Sequence, residues 1–158
     1  DAGCGNGWAV RLISCNKNCL VASGVDGSEL MIKKAKKIDK KNKYYYGDLK
    51  NWIPKKKVDV VMSMEVFYYF EDPQSLISRI YDEWLNTGGQ LVIGLDFYFE
   101  NSDCHNWQEQ TGVSIMKLLK INDWIRFFNI AGFKEVNKHQ FCQSKSWKGT
   151  LVIQGSKI

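Results

Sequence analysis

Strand-like and helix-like segments alternate along most of this 158-residue chain. The strand-like runs are apolar and rich in β-branched or aromatic residues, whereas the helix-like segments repeat apolar residues every three or four positions. Strands are predicted at 20–26, 43–48, 58–64 and 90–96, and helices at 7–16, 28–38, 72–85 and 121–133. Strands that alternate with helices pair in parallel and are covered by helices on both faces. The pattern therefore predicts an α/β fold with a doubly wound, mostly parallel sheet.

Two further strands are predicted near the C-terminal end, at 136–141 and 149–155. Because no helix separates them, they must form an antiparallel pair at one edge of the sheet. The segment 97–120, which follows a predicted strand, mixes polar and aromatic residues without a period. Such a long irregular connection in a compact domain is usually functional. With no repeat or linker in view, residues 1–158 are predicted to form one domain, with 97–120 as an insertion on the ligand side.

Local signals predict where the helices begin and end. Ser28 and Asp72 are N-cap residue types, and Pro73 suits the first position of a helix. The sequence NTGG at 86–89 is predicted to end the helix that Pro73 begins. The apolar residues spaced to face the core are Leu30, Ile32, Ala35 and Ile38 in one helix and Trp8, Leu12 and Cys15 in another.

Composition excludes several classes of protein. Hydrophobic residues make up 44% of the chain and charged residues 25%, which is typical of a globular rather than a disordered protein. No apolar run approaches the ~18 residues of a membrane helix, so no membrane partner is expected. The five cysteines are odd in number and form no CxxC pair, so we expect no metal site and reduced, mostly buried thiols. With no visible signal peptide, this predicts a cytoplasmic protein.

The net charge of +5 is concentrated in two lysine clusters, at 33–43 and 55–57. Both clusters precede predicted strands, which places them at the amino ends of the sheet. Lysines at the end of a helix also complement its dipole. No basic stripe with interleaved aromatic residues is present. The charge therefore indicates a solvated face and argues against a nucleic-acid partner.

Three glycines alternate at Gly3, Gly5 and Gly7, directly after Asp1 and before a predicted helix. A glycine-rich turn lets the backbone approach a ligand closely, and the following helix N-terminus offers free N–H groups. In open α/β sheets this arrangement binds dinucleotides or S-adenosylmethionine. Dinucleotide folds favour G-x-G-x-x-G, whereas this chain has G-x-G-x-G, so the spacing disfavours a nicotinamide dehydrogenase.

The stretch DAGCGNG at 1–7 resembles the first motif of class I S-adenosylmethionine-dependent methyltransferases, in which an acid precedes three alternating glycines. The resemblance continues in order through GVDGSELMIKKAKK (24–37), YGDL (46–49), VDVVMSMEVFYYFEDP (58–73) and TGGQLVIGLD (87–96). It implies a Rossmann-like fold and S-adenosylmethionine as the cofactor. The chain is also loosely similar to methyltransferase-domain proteins grouped with those of quinone biosynthesis, a likeness that names no substrate.

The resemblance implies the cofactor-binding residues Asp1, Gly3, Gly5, Gly7, Asp26, Gly27, Asp48, Leu49 and Met64. Asp26 would hold the two ribose hydroxyls, since one carboxylate can accept from both. Asp48 would accept from the adenine amino group and Leu49 would pack on the ring. For Asp48 an ordinary Gly-Asp turn is the alternative. The backbone near Met64 would face the methionine part of the cofactor.

Methyl transfer from a sulfonium is an in-line displacement, so the protein mainly positions the reactants and excludes water. A general base is needed only where the acceptor must lose a proton. Glu65 and Tyr68 would edge the methyl site, where an aromatic face favours a sulfonium. The alternative for Tyr68 is core packing. His105, in the segment 97–120, is the candidate base because histidine titrates near neutral pH, and a surface histidine is its alternative.

We therefore expect a methyltransferase acting on an oxygen, nitrogen or carbon of a small molecule. A catalytically silent adenosylmethionine-binding module, acting as a partner or sensor, is the alternative from another class. A tRNA or protein methyltransferase is the weaker alternative. In the family the first strand runs into the leading acid, here Asp1. We therefore expect that the first strand is missing from this chain and that the chain is a fragment of a longer protein.

Overall fold

The computed structural model describes all 158 residues. They divide into two compact units, Asp1–Ile53 and Pro54–Ile158. Each unit contains strands and helices, which confirms the predicted α/β class, and the single domain stays a prediction. None of the helices is both long and apolar enough to cross a membrane.

In the first unit two parallel strands are joined by a helix. Strand β1 (Ser23–Asp26) pairs in parallel with β2 (Lys43–Tyr46). Helix α1 (Trp8–Ile13) precedes β1, and α2 (Glu29–Ile38) connects the two strands. β1 also forms a parallel bridge between Val25 and Ala2. These elements agree with the predicted order, in which parallel strands alternate with helices.

The N-cap of α2 is predicted correctly, but only some of the residues predicted to face the core are buried. The Ser28 hydroxyl accepts the N–H of Met31 at 3.4 Å, as an N-cap does. Ile32 and Ala35 are buried, whereas Leu30 and Ile38 are 77% and 52% exposed. The period of the helix is therefore right, but its buried stripe is narrower than the apolar pattern suggests.

For α1 the predicted face is wrong. The helix ends at Ile13, so Cys15 lies beyond it, and Trp8 and Leu12 are more than half exposed. Its buried residues are the smaller Ala9 and Val10. Small side chains suit this contact because α1 packs closely on the first unit's core, which also contains Cys4, Ile32, Ala35 and Tyr44.

Gly24 of β1 is closely surrounded by side chains of this core. A Cβ added to Gly24 would lie 2.6 Å from the Cβ and Sγ of Cys4 and 3.1 Å from Cγ2 of Val10. We expect Gly24→Ala to lower the free energy of unfolding by about 1–3 kcal/mol, because the backbone must move to relieve the overlap. Urea denaturation measures this. Gly27→Ala is the matched control, since a Cβ there meets no atom within 4 Å. Equal stability of Gly24→Ala and the wild type would contradict the packing described.

The second unit contains a four-stranded mixed sheet. Its strands are β3 (Val58–Met64), β4 (Leu85–Leu95), β5 (Lys134–Phe141) and β6 (Thr150–Ser156). They lie in the order β3-β4-β6-β5. β3 and β4 are parallel, and β6 is antiparallel to both of its neighbours. The predicted antiparallel pair is thus confirmed, with β5 at the edge.

Helix α3 (Pro73–Arg79) begins as predicted, since the Asp72 carboxylate accepts the N–H of Ser75 at 3.0 Å. It continues as a π-helical turn, Ile80–Trp84. The helical segment therefore ends within one residue of the predicted bound at 85, and residues 86–89 lie within β4, as a bulge between its pairings at Leu85 and Gln90. Lys157 stabilises the bulge, since its carbonyl accepts from Gly88 at 2.6 Å and its N–H donates to Gly89 at 2.8 Å.

The segment 97–120 is more regular than predicted. It contains a 3₁₀ turn (Ser102–Cys104) and the short helix α4 (Trp107–Thr111). Helix α5 (Ile121–Ala131) follows and ends at Gly132, as predicted.

All five cysteines are free. The expectation that most are buried is wrong, because only Cys4 and Cys104 are.

Candidate active site

The glycine loop has the backbone conformation that its sequence requires. Gly3, Gly5 and Gly7 have φ angles of 80°, 50° and 78°, a region that residues with a Cβ rarely adopt. Gly7 is the N-cap of α1. A Cβ added to Gly5 would meet no atom within 4 Å, so the loop is open on that side. A ligand can therefore approach the backbone here.

Asp26, the last residue of β1, ties the loop to the strand. Its Oδ2 accepts the N–H of Gly5 at 2.8 Å, and its Oδ1 accepts the N–H of Ser28 at 2.7 Å. Each carboxylate oxygen has room for about two hydrogen bonds, so each keeps one acceptor position. Asp26 therefore fits the predicted contact with two ribose hydroxyls while it also holds the loop.

The other predicted residues of the first unit surround this carboxylate. The carbonyl of Asp1 accepts the N–H of Val25 at 3.0 Å, and the N–H of Gly3 donates back to the Val25 carbonyl at 2.8 Å. Gly27 follows Asp26, and a Cβ there would meet open space. The glycine loop is therefore anchored along β1, with open space beside Gly5 and Gly27.

Asp48 and Leu49 follow the end of β2, at the edge where β1 ends. The N–H of Gly47 donates to the carbonyl of Asp26 at 3.1 Å. The Asp48 carboxylate accepts the N–H of Lys50 at 2.9 Å, as expected of a turn residue. Leu49 is buried. The turn role of Asp48 is thus present, and the adenine contacts of both residues stay predictions.

In the second unit, Glu65 directly follows β3 in a strained backbone conformation. Its φ is 58°, which is rare for a residue other than glycine. Its N–H donates to the carbonyl of Gly94 at 2.9 Å. The Met64 side chain lies so close to Gly94 that a Cβ there would overlap its sulfur. These contacts place Glu65 at the carboxyl end of the sheet, and the cofactor contact of Met64 stays a prediction.

One oxygen of the Glu65 carboxylate is hydrogen-bonded, and the other is not. Its Oε2 accepts from the Tyr68 hydroxyl at 2.8 Å, whereas its buried Oε1 has no hydrogen-bond partner. Asp96, which directly follows β4, has a buried Oδ1 that is likewise without a partner. Buried polar atoms of this kind call for an explanation, and catalysis is one of the recognised explanations.

The surroundings change the acidity of both groups. Burial, followed by the nearby Asp96 carboxylate, raises the pKa of Glu65 to about 7. Burial and Glu65 raise the pKa of Tyr68 far above its ordinary value, so this phenol keeps its proton. Tyr68 is 2% exposed and its ring centroid lies 5.3 Å from that of Phe97. The geometry therefore favours Glu65 as the proton acceptor and Tyr68 as its hydrogen-bond donor.

His105 is exposed, and its imidazole is already engaged. Its Nε2 lies 2.7 Å from the carbonyl oxygen of Phe99, to which only a protonated ring nitrogen can donate. The ring also lies against that of Phe99, with centroids 5.5 Å apart. This arrangement agrees with the alternative, in which His105 is an ordinary surface histidine. The catalytic role of His105 stays a prediction.

A cavity of about 400 Å³ opens in the second unit. The Lys117 N–H, on its wall, donates to the Tyr68 carbonyl at 2.8 Å. The volume of this cavity lies in the range of small-molecule binding sites. The lining residues are mostly polar: Glu71, Gln108, Ser114, Ile115, Met116 and Lys117.

Nowhere in the structure do three or more histidine, cysteine or acidic side chains converge as a metal site would require.

Sequence reasoning missed two contributions. The influence of Asp96 on Glu65 depends on the register that pairs Met64 with Gly94, which the sequence pattern does not reveal. Arg11 donates from Nη1 to the carbonyl of Asn6 at 2.7 Å and so braces the glycine loop. The only available signal for Asp96 was its place at the end of a predicted strand.

Comparisons with known proteins agree with this geometry. The profile of a family described as methyltransferase domain matches residues 1–93, which is more than half of the chain. Trans-aconitate 2-methyltransferase from Agrobacterium fabrum is 25% identical over 134 residues, which are 85% of this chain and 49% of that protein. The chain thus spans about half the length of this curated relative, and 36% of a second one, from Rhizobium rhizogenes.

Two solved structures share the fold. A chain from the complex of the Haloferax volcanii Trm112 methyltransferase activator with a methyltransferase is 27% identical, with a TM-score of 0.85. The match covers 99% of this chain and 80% of that one. The N-methyltransferase NodS from Bradyrhizobium japonicum, in complex with S-adenosylhomocysteine, is 20% identical, with a TM-score of 0.73 over 99% of this chain and 75% of its own. These likenesses confirm the Rossmann-like fold.

Proposed function

We propose that the protein methylates an oxygen or nitrogen of a small molecule. The premise is that this chain belongs to the methyltransferase domain family and is a class I S-adenosylmethionine-dependent methyltransferase domain. S-adenosylmethionine, the family's cofactor, supplies when bound a methyl group activated on a sulfonium. The observation that supports the acceptor class is the Glu65 carboxylate, whose buried Oε1 has no hydrogen-bond partner.

In this proposal the first unit holds the cofactor. The carboxylate of Asp26 would accept hydrogen bonds from the two ribose hydroxyls at the acceptor positions that the N–H groups of Gly5 and Ser28 leave free. The open backbone of the glycine loop and the N-terminus of α1 line the same edge. Asp1, Gly3, Gly7 and Gly27 contribute backbone shape, and Asp48 with Leu49 would bind the base.

Glu65 acts as the proton acceptor in the second unit. Oε1 of Glu65 would accept the proton that an acceptor oxygen or nitrogen loses on methylation, while the bound cofactor would supply the methyl group. The Tyr68 hydroxyl fixes the carboxylate through Oε2. A pKa near 7 suits a base that works at neutral pH.

The cavity beside Tyr68 supports a small-molecule acceptor. Relatives named for trans-aconitate suggest a carboxylate oxygen as one acceptor, and the structural neighbour NodS, an N-methyltransferase, suggests an amine nitrogen as another. Glu65 would serve as a base only for an acceptor that carries a proton, such as an amine, because a carboxylate is already ionised at neutral pH.

Transfer of a labelled methyl group tests the proposal. The full-length protein is incubated with methyl-labelled S-adenosylmethionine and a fractionated metabolite extract, with Glu65→Gln as the background. Label in a small molecule, dependent on Glu65, is the expected result. Binding of S-adenosylhomocysteine without transfer to any fraction would favour the silent binding module instead. Label in tRNA or protein alone would contradict the substrate class.

A further inference from the structure

Tyr44, on β2, lies under the last glycine of the loop. Its side chain is 3% exposed and belongs to the core of the first unit. A Cβ added to Gly7 would overlap its ring. The Tyr44 hydroxyl oxygen lies 3.4 Å from the carbonyl oxygen of Gly7, which accepts the N–H of Arg11 as the first hydrogen bond of α1. Tyr44 therefore contacts the residue at which the loop becomes a helix.

Asp39, at the end of α2, fixes the Tyr44 hydroxyl. The hydroxyl donates to Oδ2 of Asp39 at 2.7 Å, and the same oxygen accepts from Nδ2 of Asn42 at 2.7 Å. The bonds from Asn42 and Tyr44 hold the pKa of Asp39 well below its usual value. Burial and the bond to Asp39 raise the pKa of Tyr44 to about 12. At neutral pH the carboxylate is therefore charged and the phenol protonated.

The same network reaches the other end of α1. Nδ2 of Asn42 lies 3.1 Å from Oγ of Ser14, the C-cap residue of α1, and the Ser14 hydroxyl in turn donates to the Arg11 carbonyl at 2.9 Å. Both ends of α1 are thus tied to the turn between α2 and β2. No cofactor-binding role is predicted for any residue of that turn.

We propose that Tyr44 is a positioning residue for the cofactor: its hydroxyl, fixed by Asp39, keeps the ring under Gly7 and so holds the glycine loop in its binding conformation. The inference rests on the proposal that this loop binds S-adenosylmethionine. A loop with three glycines at positive φ has little stiffness of its own, so ordering it on binding weakens affinity unless contacts from below order it beforehand. Tyr44 supplies such a contact, although it touches no cofactor atom in this scheme.

The test is Tyr44→Phe in the full-length protein, which removes the hydroxyl and keeps the ring. We expect the Kd for S-adenosylhomocysteine, measured by calorimetry, to rise about three- to tenfold, since only part of the free energy of the lost hydrogen bond orders the loop. The KM for S-adenosylmethionine should rise similarly, with kcat nearly unchanged. The amide hydrogens of Gly5 and Gly7 should exchange faster. Asp39→Asn, which keeps an acceptor oxygen, should give an intermediate Kd.

Tyr45→Phe is the matched control, because Tyr45 is the next residue on β2 and its ring packs against Trp52. The centroids of these two rings are 5.6 Å apart. Its Kd should equal that of the wild type. A lower free energy of unfolding for Tyr44→Phe with an unchanged Kd would overturn the inference and leave the proposed function intact. Failure of the folded wild-type protein to bind S-adenosylhomocysteine would overturn both.

Discussion

Replacing Asp26 by alanine is expected to raise the Kd for S-adenosylhomocysteine at least about a hundredfold. The substitution removes the acceptors for the N–H groups of Gly5 and Ser28 as well as the predicted ribose contacts. Each hydrogen bond to a charged group contributes about 1.5–3 kcal/mol, so losing two or more affects binding strongly. Calorimetric titration of the full-length variant measures the change.

Two further variants separate the roles of Asp26. Asp26→Asn keeps one acceptor oxygen and should bind more tightly than Asp26→Ala. Glu29→Ala removes an exposed acid that pairs with Lys33 at the surface, so it controls for net charge and should bind like the wild type. If Asp26→Ala stays folded and binds within threefold of the wild type, the ribose contact is not made by this residue.

Replacing Glu65 by glutamine is expected to lower kcat about a hundredfold or more, the usual contribution of a general base. In the wild type, kcat should rise with pH through about 7 and then level off, because only the ionised carboxylate accepts a proton. In Glu65→Gln that rise should disappear. Glu109→Gln, an exposed change on α4, should keep the wild-type profile. A pH profile that survives in Glu65→Gln would assign the proton to another group.

The same substitution should stabilise the fold at high pH. The raised pKa means that the folded protein holds this proton more tightly than the unfolded chain does. Stability is therefore lost as the pH rises from the ordinary glutamate value, about 4.5, through about 7. Because glutamine never ionises, Glu65→Gln should be more stable than the wild type at pH 8 by about 1–3 kcal/mol, and no more stable at pH 4. Urea denaturation at both pH values measures this.

Features that depend on neighbouring residues in the chain could be predicted from sequence. The caps at Ser28 and Asp72 are of this kind, because each follows from a few adjacent residues. The exposure of Leu12 and Leu30 could not be predicted, since a helical period does not say how wide the buried stripe is. Nor could the raised pKa of Glu65, because it depends on burial in the folded protein and on Asp96, which comes after β4 in the chain.

The strand order of the second unit constrains how this protein folds. β4 lies between β3 and β6, and the side chains of Gln90 and Ser156, paired across β4 and β6, are 66 residues apart in the chain. Until residues 150–156 have left the ribosome, β4 is an apolar edge strand without its second neighbour. Pairings of such long separation form slowly and leave surface exposed to aggregation meanwhile. The second unit is therefore expected to complete its sheet only after synthesis has passed β6.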